Sequence, residues 1–494
     1  MRGNLALRRK YTAVLAYAGV ALMVAGAVLL LPLAALLAAP DEYRLAPAFL
    51  LPGLAAMAGG LLLYRTFRPE TKVLTLQEGS ILVLVSWLAA SLLGAVPFML
   101  AARMSFTHAV FESVSGWTTT GLTVVDVTGA SCTVLLFRSA LQLAGGAGFA
   151  IIMVATLVGP AGTGVAGAEG RTDQLVPHVR QSARLVLMLY AGYTVAGIAG
   201  YALAGMGLFD AVNHAFCAVA TGGFSTKPDS IGHWDSPAIE AVSLPLMLLG
   251  NLNFLTAYLI FQGRARTAAR SGELRLIAVV LPVCCALLLV LTARGLYEPL
   301  GKAVRVSIFE ATSALTGTGY TVTSYRHWNS FGLLTILMLM VLGGGVCSTS
   351  GALKQYRVFL LAKAVWWEIR RALLPPSAVI DETVWRGEAE YRVGHEHVRQ
   401  VAVFCCLYLA FLVAGAAVLT AYGYPLDQAL FEYASAQGTV GLSLGVTGPD
   451  APLGVLWTQI AGMFLGRLEF LVVFIGLVKI ARDLPSLLRR PDAR

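Results

Sequence analysis

The sequence predicts an all-α integral membrane protein organised around a fourfold internal repeat, and three observations support that prediction. The chain of 494 residues is 57% hydrophobic and 13% charged, with a mean hydropathy of +0.73, a composition far from that of soluble proteins. Apolar runs of about 20 residues, the length that spans a bilayer, recur along the chain. Between pairs of these runs lie four short stretches that resemble one another. An internal repeat of this kind indicates the overall architecture more directly than the pattern of any single segment does.

The four stretches align on Gly121, Gly223, Gly319 and Gly441, which are 102, 96 and 122 residues apart. In three of them a Phe-Glu dipeptide stands ten residues before the glycine, and the chain contains no other Phe-Glu. Four unrelated glycine-rich turns are the alternative, but turns require neither a shared dipeptide nor a shared offset. The aligned stretches are FESVSGWTTTGLT (111–123), NHAFCAVATGGFS (213–225), FEATSALTGTGYT (309–321) and FEYASAQGTVGLS (431–443).

In chain order, the sequence divides into an N-terminal helix pair and four repeats with two spans each. Residues 1–72 hold apolar runs near 11–38 and 46–64 and match no repeat. The repeats are predicted at 73–172, 173–270, 271–396 and 397–494. Their spans are predicted near 79–101 and 133–158, 183–206 and 237–262, 275–294 and 330–362, and 398–421 and 453–481. The sequence therefore predicts ten membrane helices.

Basic residues concentrate on one side of these spans, which the positive-inside rule assigns to the cytoplasm. The net charge of +9 could indicate a nucleic-acid partner, but the basic residues lie in short loops between apolar runs, so no nucleic acid is expected. An even span count places both termini in the cytoplasm and the glycine stretches on the outer side. The inner set is Arg65, Arg68, Lys72, Arg171, Arg180, Arg264, Arg266, Arg270, Arg370, Arg371, Arg386, Arg392, Arg482, Arg489, Arg490 and Arg494, and the outer set is Arg44, Arg103, Lys227 and Arg326.

Each segment before a glycine is about ten residues long, too short to cross a bilayer, and predicts a re-entrant half-helix. Thr107 and Asp427 are the predicted N-caps, with Asp210 one position later in its repeat. The partially negative C-terminal ends of these half-helices would point at the glycines and favour a cation there.

The acidic residue of Phe-Glu has a predicted electrostatic role. Glu112, Glu310 and Glu432 are expected in the first turns of the half-helices, where a carboxylate complements the helix dipole. In the second repeat Asn213-His214 replaces Phe-Glu. His214 is either a pH sensor or a capping or hydrogen-bonded residue of the half-helix.

After each half-helix the backbone must turn so that successive carbonyls face one axis, and glycine reaches the positive φ that this requires. Non-helical backbone at membrane depth is tolerated only where it is buried or lines a water-filled cavity. The chain therefore reads as four pseudo-symmetric membrane-pore-membrane repeats whose strands ring a pore with carbonyl oxygens in place of an ion's hydration shell. The predicted ion-binding residues are Thr119, Thr120, Gly121, Thr221, Gly222, Gly223, Gly317, Thr318, Gly319, Thr439, Val440 and Gly441.

Nearly the whole chain resembles the TrkH/TrkG, KtrB and HKT superfamily of potassium transporters. Thr439 to Leu442 reads TVGL, close to the Thr-Val-Gly-Tyr of potassium-channel filters. More specifically, Arg138 to Gly146 (RSALQLAGG) is similar to the family's Arg-Ser-x-x-Gln-x-x-Gly-Gly, and Gly466 to Glu469 (GRLE) to its Gly-Arg-x-Glu. The ten-helix layout resembles the Trk branch. Glycine at 121 implies a preference for potassium, because serine there is associated with sodium-permeable plant members.

The resemblance also implies an intramembrane gating loop. GGGVCSTSGALK (343–354) interrupts the second span of the third repeat, and interior glycine costs about 1 kcal/mol relative to alanine in a helix. The family's Gly-Ser-Thr-Gly-Gly-Gly-Ile-Lys is altered here at Cys347, Ser350, Ala352 and Leu353. The alternative is a glycine-rich seam for helix packing. The gating residues implied by the resemblance are Gly343, Gly344, Gly345, Ser348, Thr349, Gly351, Lys354 and Arg467.

Arg467 lies in the middle of an apolar span, where a charge is costly and usually faces a cavity or a partner. The resemblance makes it an electrostatic barrier or gate latch, and an ion pair within the helix bundle is the alternative. The same choice between a structural and a functional role is open for Arg138.

His395-Glu396-His397 resembles a metal site but lacks a third ligand, so a solvated loop is expected. The linker 363–397 is expected to be a cytoplasmic amphipathic connector.

The function predicted from these residues is potassium uptake through a channel-like pore in the plasma membrane (the bacterial inner membrane). K+ is the transported ion, and no organic cofactor is expected in this chain. No nucleotide-binding signature is apparent, so a nucleotide-binding regulator of the TrkA or KtrA type, with RCK domains, would be a separate chain. Contact with membrane lipid and homodimerisation are further expectations. Sodium- or proton-coupled symport, an intramembrane enzyme and a non-conducting scaffold are the alternatives, and no catalytic cluster supports the enzyme.

Overall fold

The computed structural model describes residues 2–68, 74–148, 179–346, 348–375, 377–378, 381–386 and 389–488, and most of these are helical. Several predicted features lie outside the described residues. They are Lys72, Arg171, the part of the 133–158 span beyond residue 148, Cys347, Arg489, Arg490 and Arg494.

The N-terminal pair consists of α1 (Arg2–Leu30) and α2 (Ala46–Thr66), joined by two short 3-10 helices. The pair packs closely because small residues face one another along the crossing. A Cβ added at Gly26 would lie only 2.6 Å from the carbonyl oxygen of Gly53, so glycine is what lets the backbones approach.

The remaining helices can be grouped, in chain order, by the four predicted repeats. Each repeat has a long apolar helix, then a short helix that ends at one of the glycine segments, then at least one further helix. The helices are α3 (Leu76–Ala101), α4 (Phe106–Trp117) and α5 (Cys132–Gly146); α6 (Val179–Leu203), α7 (Leu208–Val219), α8 (Pro237–Asn251), α9 (Phe254–Phe261) and α10 (Ala265–Ala268); α11 (Gly272–Leu291), α12 (Leu300–Thr316), α13 (Ser330–Leu342) and α14 (Gln355–Leu373); and α15 (His395–Ala421), α16 (Leu426–Gly438), α17 (Leu453–Leu468) and α18 (Phe470–Leu488).

Within the described part of the chain, six helices are long and apolar enough to cross a membrane, or eight if each of two bent pairs is one span. The two bent pairs fall within the predicted spans at 237–262 and 453–481. α8 and α9 meet at 117°, where the Asn253 side chain caps the new helix by accepting from the Leu255 amide. α17 and α18 meet at 100° at Glu469, which has a φ of 63°. The total of ten spans stays a prediction.

The linker contains a short antiparallel hairpin, in which β1 (Thr383–Arg386) pairs with β2 (Ala389–Arg392). One expectation about the linker is corrected. His395 to His397 begin α15 and are not a loop. No group of three or more His, Cys, Asp or Glu that could hold a metal occurs among the described residues.

The N-caps of the half-helices also differ from the prediction. Ser105 caps α4, and its hydroxyl accepts a hydrogen bond from the amide of His108. Asp210 and Asp427 lie inside the first turns of α7 and α16, where each carboxylate still complements the helix dipole. The actual N-cap positions of the other three half-helices are Gly207, Pro299 and Pro425.

The N-terminal end of helix α5 is fixed by the connection within the N-terminal pair. The Glu42 carboxylate accepts hydrogen bonds from the backbone amides of Cys132 and Thr133, both at 2.8 Å. These amides belong to the first turn of α5, so Glu42 satisfies donors that the helix itself leaves unpaired. This contact sets the position of the side chains further along α5, among them Arg138 and Gln142.

Candidate functional site

The four segments that follow the half-helices share one backbone conformation. Each has positive φ at the aligned glycine and again two residues earlier. The values are 58° and 91° (Thr119, Gly121), 49° and 76° (Thr221, Gly223), 67° and 78° (Gly317, Gly319), and 53° and 97° (Thr439, Gly441). A β-branched threonine in this region is strained by about 1–3 kcal/mol, and such strain persists only where the surroundings impose it.

Hydrogen bonds at the end of each half-helix impose this conformation. In the first repeat the Thr119 amide donates to the Gly116 carbonyl (3.1 Å) and the Thr120 amide to the Ser115 carbonyl (2.9 Å). This pair of bonds is the Schellman motif, whose left-handed position here is Thr119. The same two bonds recur in the other repeats, from Thr221 and Gly222, Gly317 and Thr318, and Thr439 and Val440.

The four segments lie against one another in a closed ring. A Cβ added at any of the four glycines would overlap the carbonyl oxygen that precedes the glycine of the next segment. The facing pairs are Gly121 with Gly222, Gly223 with Thr318, Gly319 with Val440, and Gly441 with Thr120. The order runs from the first repeat to the fourth and back to the first, so the glycines converge on one axis and leave no space for side chains.

Three buried carboxylates fix the chain where it leaves this ring. Glu112 accepts hydrogen bonds from the Thr123 hydroxyl (2.9 Å) and the Val124 amide (3.0 Å). The corresponding donors are Thr321 and Val322 for Glu310, and Ser443 and Leu444 for Glu432. Each glutamate therefore ties its half-helix to the strand that leaves the ring.

The predicted position of these glutamates in the first turns was wrong. Glu112 is the seventh residue of α4, Glu310 lies in the second half of α12, and Glu432 lies in the middle of α16. Burial of a carboxylate is compensated here by hydroxyl and amide donors, and not by the helix dipole.

His214 takes the same place in the second repeat. Its Nε2 lies 2.9 Å from the Ser225 hydroxyl, eleven residues ahead, which matches the Glu112–Thr123 offset. Its Nδ1 lies 2.8 Å from the Asp210 carbonyl oxygen, one turn earlier in α7. Both ring nitrogens are thus engaged, as the hydrogen-bonded alternative for this residue predicts.

Two side chains of α5 connect the first repeat to the second. Arg138 is buried and pairs with Glu112 at 2.7 Å, and it also donates to the Ser225 carbonyl (3.0 Å). Gln142 donates to the Gly222 carbonyl (2.6 Å) and accepts from the Phe224 amide (3.1 Å). Sequence reasoning gave Gln142 no role, although it follows Arg138 by four residues and so shares its helix face.

Replacing Arg138 by methionine is expected to destabilise the protein by about 3–5 kcal/mol, because Glu112 would stay buried without its counter-charge. The check is the thermal unfolding midpoint of the detergent-purified protein. Arg326→Ala, at an exposed position, is the control, and its thermal unfolding midpoint should equal that of the wild type. Equal midpoints for Arg138→Met and the wild type would contradict the role of this pair.

A cavity of about 630 Å³ opens above the ring, and all four aligned glycines contribute to its lining. Asp126, Lys227 and Asp229 bring charge to this vestibule. The hydroxyl and amide of Thr128 donate to Asp126 and hold the pKa of that carboxyl below its ordinary value, so it stays ionised at neutral pH. An ionised carboxylate here makes the local electrostatic potential of the cavity more negative.

The segment 343–354 lies against the other side of the ring. The Thr349 hydroxyl is 2.9 Å from the Thr221 hydroxyl and donates to the Gly250 carbonyl at 2.9 Å. A Cβ added at Gly351 would overlap the Thr439 hydroxyl. The Gly345 amide donates to the Asn251 carbonyl (3.0 Å), which ties the segment to the bend after α8. The described residues of the segment are irregular and mostly buried, so they do not form a helix-packing seam.

Arg467 connects this segment to α5. Its guanidinium donates to the carbonyl oxygens of Thr349 and Gly145, the latter at 2.7 Å. Glu469, two residues further on, pairs with Arg357 at 2.7 Å. Arg467 thus bridges the 343–354 segment and the end of α5 beneath the ring.

The fold and the site together define a class of protein. The chain is a multi-pass helical membrane protein in which buried backbone segments converge on an axis between a vestibule and an irregular intramembrane segment. Residues 46–484 match the family model described as TrkH, cation transport protein. The chain therefore belongs to the TrkH family, and it is a cation transporter and not an enzyme.

Similarity to known proteins supports this assignment. The chain is 31% identical over 443 residues to the Trk system potassium uptake protein TrkH of Halomonas elongata, covering 84% of this chain and 88% of that protein. It is 32% identical over 434 residues to the Trk system potassium uptake protein TrkG of Escherichia coli, covering 84% and 87%. The crystal structure of the potassium transporter TrkH from Vibrio parahaemolyticus is similar with a TM-score of 0.82 and 26% identity, over 97% of this chain and all of that chain.

Proposed function

We propose that this chain is the membrane subunit through which potassium enters the cell, in single file along the axis between the four glycine segments. The observation that carries the proposal is the closed ring, in which each aligned glycine abuts the carbonyl preceding the next. Backbone oxygens in such a ring replace the hydration shell of a monovalent cation. The relatives named above are potassium uptake proteins, which supports potassium as the ion.

The half-helices favour a cation on this axis. All four end immediately before the ring, at Trp117, Val219, Thr316 and Gly438. Their C-terminal carbonyls carry partial negative charge, which stabilises a cation most strongly within about one turn. The buried glutamates hold the strands in register from behind, so the oxygens need not rearrange when an ion arrives.

The 343–354 segment and Arg467 are the proposed gate. The segment lies beneath three of the four strands, near Thr221, Gly317 and Thr439. Arg467 adds a positive charge and two hydrogen bonds that hold the segment against α5. Opening requires these bonds to break, so the same side chain serves as latch and as barrier to cations.

The surroundings of the proposed pore follow from the family resemblance. The chain is proposed to lie in the plasma membrane with both termini in the cytoplasm, to contact lipid and to form a homodimer. A separate ring of RCK domains, of the TrkA or KtrA type, would regulate it by binding nucleotide. The basic end of α14, with Arg370 and Arg371, offers this partner a charged cytoplasmic surface.

The proposal is tested by potassium and sodium flux in proteoliposomes, for the wild type and for Gly121→Ser. A serine side chain at 121 meets the Gly222 carbonyl, and the φ of 91° adds strain. A distortion of about 1.4 kcal/mol in relative ion binding would raise the sodium-to-potassium flux ratio about tenfold. Gly129→Ser is the control, since its Cβ would meet nothing closer than 4.0 Å.

Two results would contradict the proposal. Equal sodium and potassium flux in the wild type would show that the protein does not select potassium. An unchanged sodium-to-potassium flux ratio in Gly121→Ser would show that ions do not pass through the ring. The coupled-symport alternative predicts that flux depends steeply on a sodium or proton gradient, whereas a channel-like pore follows the potassium gradient alone.

A further inference from the structure

The edge of the ring that faces the 343–354 segment carries a hydroxyl group in the first, second and fourth repeats and none in the third. Two residues before the aligned glycine stand Thr119, Thr221 and Thr439 in repeats one, two and four. The third repeat has Gly317 at this position, with a φ of 67° that is close to the 58°, 49° and 53° of the threonines. The backbone is therefore the same in all four repeats, and only the side chain is missing at Gly317.

Ser350 of the 343–354 segment, further along the same repeat, fills this position. Its hydroxyl oxygen lies 2.6 Å from the point where a Cβ of residue 317 would be. Ser350 is 1% exposed, so the hydroxyl is enclosed by protein. Serine is also one of the positions at which this chain departs from the Gly-Ser-Thr-Gly-Gly-Gly-Ile-Lys pattern that the segment resembles.

Three of the four hydroxyl groups at this level have no hydrogen-bond partner among the described residues. Among the residues that the structure describes, Thr119 Oγ1, Thr439 Oγ1 and Ser350 Oγ are buried and form no hydrogen bond. Thr221 Oγ1 lies 2.9 Å from Thr349 Oγ1, and Thr349 is the residue before Ser350 in the 343–354 segment. Buried polar atoms nearly always have a partner, so three orphaned oxygens at one edge indicate a ligand.

We propose that Ser350 completes a ring of four hydroxyl oxygens, with Thr119, Thr221 and Thr439, which binds a dehydrated alkali cation while the 343–354 segment is closed. The inference rests on the proposed function and adds a site at the edge of the ring that faces the 343–354 segment. Neutral oxygens suit potassium, and the nearby ends of the half-helices supply partial negative charge.

The cationic groups on the segment limit the strength of this site. Arg467, from α17, donates to the Thr349 carbonyl, and Lys354, from the segment itself, donates to the Ser350 carbonyl. Both positive charges therefore lie next to backbone carbonyls of the segment. Their repulsion opposes the ion, which makes the fourth hydroxyl decisive for occupancy. Because one of its ligands comes from the segment, an ion bound here also stabilises the closed segment, and the two equilibria are linked.

The test is thermal unfolding of the full chain in detergent across a potassium titration, with choline holding the ionic strength constant. Ser350→Ala should raise the potassium concentration for half-maximal stabilisation about tenfold, since it removes one ligand of a charged group. Ser80→Ala is the matched control, because the Ser80 hydroxyl bonds only to the Leu76 carbonyl of its own helix. It should titrate as the wild type does.

The hydroxyl can also be moved from the segment to the ring. Gly317→Thr alone should open the segment, because the new side chain overlaps Ser350. In the double variant Gly317→Thr/Ser350→Gly the threonine takes the position that three repeats already accept, and the wild-type potassium dependence should return. Such a recovery is a coupling that independent sites would not show.

Flux measured on the same preparations separates the two proposals. A wild type that carries no potassium in liposomes would overturn the proposed function and this inference with it. A conducting wild type whose potassium dependence of unfolding is shared by Ser350→Ala would overturn only the hydroxyl site. A double variant no better than Ser350→Ala would do the same.

Discussion

Alanine at position 319 is expected to reduce potassium flux by on the order of 100-fold. Gly319 has a φ of 78°, and a Cβ there would overlap the Val440 carbonyl of the next segment. Strain of this kind costs about 1–3 kcal/mol, and each 1.4 kcal/mol is a factor of ten. The side chain has no room to move, because the ring is closed on both sides. Either Val440 or the third strand must shift, and both lie on the proposed path.

The control for this variant is Gly301→Ala on the same half-helix. Gly301 is exposed and a Cβ there meets nothing within 4 Å, so flux should match the wild type. Potassium uptake into liposomes, normalised to the amount of folded protein by size-exclusion chromatography, gives the comparison. Wild-type flux through Gly319→Ala would mean that ions do not pass between the third and fourth segments.

Replacing Arg467 by alanine is expected to raise the basal potassium flux at least about tenfold. The change removes two charge-assisted hydrogen bonds, to Thr349 and Gly145, and such bonds contribute roughly 1.5–3 kcal/mol each. It also removes a positive charge beneath the ring. Both effects shift the 343–354 segment toward its open position. The measurement is flux of the purified chain alone, without a regulatory partner.

Lysine at 467 separates the two effects. Lysine keeps the charge but lacks the planar fork that reaches two carbonyls at once, so flux between that of wild type and Arg467→Ala is expected. Arg482→Ala is the control, because Arg482 is an exposed residue of α18. If Arg467→Ala conducts no more than the wild type, this side chain only supports the structure and the gate lies elsewhere.

The location of the four segments could be predicted because their chemistry is local. A backbone that turns at positive φ needs glycine, and a repeated glycine with Phe-Glu at a fixed offset is visible in one sequence. The family resemblance then added the 343–354 segment and Arg467. Membership of the TrkH family confirms that resemblance, while the roles of the individual residues stay proposals.

What the sequence did not predict depends on contacts between distant residues. Glu112 was expected to face a helix dipole, but its partners Thr123 and Arg138 lie on a strand and on another helix. The bend at Glu469 has no glycine or proline to indicate it, and the β1–β2 hairpin is short enough for its pattern to be missed. In the sequence Ser350 is only a departure from the family pattern, and the structure places its hydroxyl beside Gly317.

The most direct test of the central claim is a structure determined with thallium(I) in place of potassium. Anomalous scattering then locates the ions without assumptions about the protein. The account predicts density on the axis enclosed by Gly121, Gly223, Gly319 and Gly441. Thallium bound only away from that axis would show that the four segments do not form the ion path.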